Sequence, residues 1–123
     1  MDRLPINKKT MRSFALAILK KLKGRGLDTD TSIYAGGSVF TTEPRGRAER
    51  HISKDGFTYY ERKQDCPCEY ANKNTVCIIS EGPFYDEMNA GGHILEELDF
   101  MAEPYGLYGE QGHTWSLSFY EGD

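Results

Sequence analysis

Between Asn7 and Lys23 the apolar residues Met11, Phe14, Ala15, Ile18, Leu19 and Leu22 recur at intervals of three and four and fall on one side of a helix. The spacing then stops. From Gly24 to Ser80 the chain breaks into short segments rich in Val, Ile, Tyr, Phe and Thr, separated by turn-forming residues. Helical spacing returns after Pro83 and ends before Pro104, and a last alternating segment closes the chain. This order implies an α+β fold, an antiparallel sheet of about five to seven short strands with two helices packed on it. A length of 123 residues suits one domain, residues 1–123.

Local signals refine this outline. Asn7 or Thr10 can cap the first helix, and Gly24 lies where a left-handed residue would end it. In "TSIYAGGSVFTT" the paired glycines suit a two-residue hairpin turn. A phosphate cradle would require Gly36-Gly37 to open a helix, whereas Val39, Phe40, Thr41 and Thr42 favour a strand. "TEPRGRAERHISKDG" reads as a polar connector, "FTYYER" as a strand, and "CEYA" and "TVCIIS" as a hairpin around "NKN". Pro83 starts the second helical stretch, which Gly91-Gly92 interrupts. Beyond that break Ile94, Leu95, Leu98, Met101 and Ala102 form an apolar stripe, and the final hairpin is expected to turn near Gln111-Gly112. There Trp115, Leu117 and Phe119 should be buried, with Ser116, Ser118 and Tyr120 in water.

Charge is divided along the chain. Residues 1–73 hold all 15 Lys and Arg, whereas residues 74–123 hold ten Asp and Glu and no base. Fifty residues without a base point to a surface property rather than to chance. No run of roughly 18 apolar residues is present, and "MDRLPINKKTMRS" lacks the apolar core of a signal peptide, so a cytoplasmic location is expected. An odd cysteine count, three, fits reduced thiols better than a secreted disulfide framework.

Catalytic signals are weak. Cys66, Cys68 and Cys77 include a C-x-C pair, a poorer zinc clamp than C-x2-C, and a fourth ligand would have to come from His51 or His113. None of His51, His93 and His113 sits in a nucleophile motif, and no Walker, Rossmann, G-x-S-x-G or H-E-x-x-H pattern occurs. Glu96, Asp99 and Glu103 share a helical face on which a magnesium ion could be held, but an exposed acidic face is the simpler reading. The residues therefore imply no cofactor, no metal and no enzyme activity.

What stands out is Phe100 among those acids, on the side away from the apolar stripe. An apolar ring ringed by carboxylates has the character of an interface anchor. Glu87, Glu96, Glu97, Asp99, Phe100 and Glu103 are accordingly the expected contact surface for a basic protein partner, with carboxylates pairing to its Arg and Lys side chains. The alternative is a nucleic-acid contact through Lys9, Arg12, Lys20, Lys23, Arg45 and Arg47.

"ISEGPFYDEMN", "YGLYGEQGHTWSLSFY" and "IYAGGSVF" together resemble small accessory proteins carried by integrative conjugative elements and phages of gut Firmicutes. That resemblance covers about half of the chain and transfers no catalytic residue. It implies a non-enzymatic inhibitor of a host nuclease or CRISPR effector, of the anti-CRISPR or antirestriction kind, whose carboxylates replace nucleic-acid phosphates.

Overall fold

The computed structural model describes residues 4–67 and 76–121. Helix α1 (Lys8–Gly24) starts on a reciprocal cap: Thr10 N–H donates to Asn7 Oδ1 at 2.9 Å, and Asn7 N–H donates to Thr10 Oγ1 at 3.0 Å. Its end lies slightly beyond the expected point. Gly24 completes the last helical turn, and the left-handed residue is Gly26, at φ +70°.

Strands β1 (Thr31–Ala35) and β2 (Ser38–Thr41) are joined by Gly36 and Gly37 at φ +58° and +81°, a conformation that disfavours side chains. A Cβ at Gly36 would stand 2.9 Å from Lys8 Cγ, so this turn is also where the hairpin meets the start of α1. The segment read as a polar connector contains a strand, β3 (Glu49–Ile52), paired to β4 (Thr58–Lys63). No side chain of β3 is fully buried, so it carries no apolar periodicity and its sequence looks like a loop. Of the hairpin expected around "NKN", the first strand and turn lie outside the described residues; the second strand is β5 (Val76–Ser80).

The second helical stretch is two helices, α2 (Pro83–Asn89) and α3 (Ile94–Ala102), with Gly91 at φ +71° between them. A 3-10 turn, Glu103–Tyr105, leads into β6 (Leu107–His113) and then β7 (Ser116–Glu121). Their hairpin turns at Thr114-Trp115, not at Gln111-Gly112. His113 pairs with Ser116, and the register irregularity between Gln111 and His113 takes up the glycine inside the strand. Trp115 consequently leaves the buried face and stacks on His113, ring centroids 4.5 Å apart.

The seven strands of the described residues form one antiparallel sheet in the order β3-β4-β2-β1-β5-β7-β6. α1 packs over β1, β2 and β5, and α3 packs on β6. Both lie over one core, because Phe14 of α1 meets Phe119 of β7 edge-on at 5.3 Å and Tyr105 at 4.9 Å. The reverse face is not wet across its middle. Ser116 and Ser118 are fully buried, and Tyr34, Val39 and Cys77 form a smaller apolar cluster with Cys66 packed against it. Ser118 Oγ donates to Cys77 Sγ at 3.3 Å, which satisfies the buried hydroxyl.

Phe119 joins α1 to the outer half of the sheet. Phe119→Ala is expected to lower unfolding free energy by about 3–5 kcal/mol, the cost of a large core cavity, measured by denaturant melts.

Candidate partner-binding surface

β6 is one end of the sheet, so among the described residues one of its edges has no strand beside it. α3 lies against this end. Glu96, Asp99, Phe100 and Glu103 project from one helical face at i, i+3, i+4 and i+7, and with Tyr108 they line a shallow concavity of about 560 Å³. Phe100 is 76% exposed and Tyr108 48% exposed. Rings of that size left in water beside one another are unusual on a small domain and mark an area able to bury them against something else.

Asp99 does more than carry charge. Its Oδ1 accepts the Gly109 N–H at 3.1 Å, tying α3 to the edge strand. A Cβ at position 109 would stand 3.0 Å from Asp99 Oδ1 and 3.1 Å from Phe119 Cε1, so glycine permits this close approach. On the far side of Tyr108 the surface continues to Glu110, Gln111 and Tyr120. Tyr108 and Glu110 were not among the expected contact residues. The signal for them is strand alternation: Leu107 is buried, so Tyr108 and Glu110 lie on the opposite side of β6.

Two expected members lie elsewhere. Glu97 turns toward α1, where its carboxylate pairs with Arg25 and lies 3.7 Å from Lys21 Nζ. Its position one residue from Glu96 rotates it about 100° around the helix and commits it to holding α3 against α1. Glu87 sits at the α2–α3 junction, with its side chain and carbonyl against Gly92.

The six basic residues are divided as well. Lys20 pairs with Asp55, and Arg45 Nη2 lies 3.2 Å from both Asp30 Oδ1 and Glu43 Oε1. Arg12 Nη2 donates to Glu61 Oε1 at 2.8 Å, its Nη1 pairs with the same carboxylate, and its guanidinium lies 5.1 Å from the Phe40 ring centroid. Lys9, Lys23 and Arg47 are exposed and make no ion pair among the described residues. Half of the expected basic surface is therefore already neutralised, and Arg12 is part of the scaffold.

The histidines are dispersed. His51 stacks on Tyr59 at 5.2 Å, His93 is 3.7 Å from Glu96, and His113 stacks on Trp115. Cys77 is buried in the reverse-face cluster and Cys66 packs on it, while Cys68 lies outside the described residues. Among the described residues no group of three or more His, Cys, Asp and Glu could hold a metal ion, and no helix is long and apolar enough to cross a membrane.

The Arg12 hydrogen bonds hold the Glu61 carboxyl below the usual carboxylate range despite the opposing effect of burial. A depressed native pKa contributes stability that is present above the unfolded-state pKa and lost as pH falls through the native one. Glu61→Gln should therefore cost about 1–2 kcal/mol at neutral pH, and its difference from the wild type should shrink below about pH 4. Chemical denaturation across pH measures this, and a difference constant with pH would contradict it. Phe100→Ala, by contrast, should change stability by less than about 0.5 kcal/mol, because its ring is already in water. The chain matches no protein-family model, no curated protein and no solved structure.

Proposed function

We propose that this protein is a non-enzymatic inhibitor, acting in the cytoplasm, that docks its β6–α3 edge on the basic nucleic-acid channel of a host defence nuclease in the manner of an anti-CRISPR. The observation that carries this reading is the grouping of Phe100 and Tyr108, both exposed, with Glu96, Asp99 and Glu103 around one concavity. The end of the sheet formed by β5, β7 and β6, together with α2 and α3, contains no Lys or Arg. Arg25 and Lys21 of α1 reach only the Glu97 side of α3, so the face carrying Glu96, Asp99 and Glu103 presents acids alone, which favours encounter with a basic partner and disfavours nucleic acid.

The chemistry suits such a channel. Glu96 and Glu103 offer bidentate acceptors to arginines that otherwise hold phosphates. Phe100 and Tyr108 add stacking faces for the same guanidinium groups and apolar area that a phosphate backbone does not supply. Origin on a mobile element is part of the proposal and rests on the sequence resemblance.

Asp99 also ties α3 to β6, so the test uses residues without that role. In DNA-cleavage assays against a panel of purified restriction endonucleases and guide-loaded effector nucleases, the protein should inhibit at least one at near-stoichiometric concentration. Glu96→Lys/Glu103→Lys should weaken inhibition by about a hundredfold or more, and Phe100→Ala by about tenfold, each with an unchanged fold. Absence of inhibition across the panel, or equal inhibition by both variants, would overturn the reading.

A further inference from the structure

On the reverse face of the sheet, far from the β6 edge, β1, β2 and β4 and the connection after β2 enclose a cavity of about 80 Å³. Ser32, Tyr34 and Thr41 contribute hydroxyl-bearing walls, and Arg45, Ala48 and Arg62 complete it. Arg45 is exposed and already paired with Asp30 and Glu43, so the cavity opens to solvent on its side and brings a second guanidinium, that of Arg62, to its wall.

The geometry leaves donors free. Arg45 uses Nη2 for both Asp30 and Glu43, which anchors the side chain, while its Nη1 and Nε make no hydrogen bond among the described residues. Arg62 is held through Nη2 to Gln64 Oε1. Its Nη1 lies so close to the β2–β3 connection that a Cβ at Gly46 would stand 3.1 Å from it, and Gly46 has φ +56°. A glycine thus lets the backbone that carries Arg45 and Ala48 close against Arg62.

Ser32 and Tyr34 are nearly buried, yet neither hydroxyl makes a hydrogen bond among the described residues. Neither oxygen is among the buried atoms left without a partner, so both remain reachable from the cavity that they line. Burial also pushes the Tyr34 pKa up, which keeps its hydroxyl protonated as a donor. Thr41 differs, since its hydroxyl donates to the Glu43 carbonyl at 2.6 Å.

We propose that this cavity is a binding site for a phosphate group, held between the free N–H groups of Arg45 and Arg62 with the Ser32 and Tyr34 hydroxyls donating to its oxygens. Arg–phosphate pairs of this kind are bidentate and charge-assisted, and neutral hydroxyl donors complete a tetrahedral set of oxygens. The space takes the phosphate alone, so any organic part of the ligand must stay outside it. The site is remote from β6 and stands whether or not the inhibitor reading holds.

The test is an NMR titration of the isotope-labelled full chain with inorganic phosphate, with a nucleoside 5′-monophosphate and with the parent nucleoside, at ionic strength held constant with chloride. Both phosphates should produce saturable shifts of the Ser32, Gly46 and Ala48 amides, and the nucleoside none. Tighter binding of the monophosphate would identify the group as part of a larger ligand, and equal binding would identify free phosphate. Arg62→Gln should weaken binding at least about tenfold. Ala48→Leu, which fills the cavity and keeps both arginines, should do the same, so whichever variant retains the wild-type amide dispersion decides the matter. Shifts that do not saturate, shifts centred on Lys9 and Lys23, or wild-type binding by a folded variant would overturn the proposal.

Discussion

The pairing of β1 on both of its edges is the constraint from which the rest of the molecule follows. Ile33 sits between Phe40 of β2 and Ile78 of β5, so the strand is buried on both sides and its neighbours are fixed by a shared core. Strands that precede position 64 then extend the sheet one way, as β2, β4 and β3, and strands that follow extend it the other way, as β5, β7 and β6. Six strand spacings separate the two ends, roughly 29 Å. The strands and helices of the end that presents Phe100 and Tyr108 carry no Lys or Arg of their own, and the bases that reach it, Lys21 and Arg25, come from α1.

An exposed sheet edge with aromatic rings beside it invites pairing with other copies of the chain. Here Glu96, Glu103 and Glu110 surround it, and like charges on two copies oppose that pairing. The same charges would favour a basic partner. Rigidity comes from behind the surface. Glu97 pins α3 to Arg25 of α1, and Asp99 pins it to Gly109 of β6, so the outward side chains are displayed from a backbone fixed at two points.

The elements that were readable in the sequence are those whose pattern is set locally. The six apolar residues of α1, the Gly36-Gly37 turn and the break at Gly91 each follow from periodicity or from backbone conformations that glycine alone tolerates easily. β3 was not readable, because an edge strand with exposed side chains is specified by its partner β4 and not by its own composition. The serines of β7 misled for a related reason. Alternation of Ser with Leu and Phe normally signals a wet face, yet both serines are buried: Ser118 lies beside Cys77 and Ser116 beside Ile79, in or against a second cluster that also draws in Tyr34, Val39 and Cys66 from distant parts of the chain. At the candidate surface, helical spacing was enough to group Glu96, Asp99, Phe100 and Glu103. It could not show that Glu97 would be drawn to Arg25, or that Tyr108 would arrive from β6, since both depend on tertiary packing.

The proposed role of the β6–α3 edge is tested most directly by hydrogen exchange of the protein alone and mixed with whichever nuclease of the cleavage panel responds to it. Protection on binding should concentrate in residues 94–113, spanning α3 and β6, and should weaken as salt is raised. Protection centred on α1 or on β3 and β4, with residues 94–113 unchanged, would contradict the assignment and place the contact at the opposite end of the sheet.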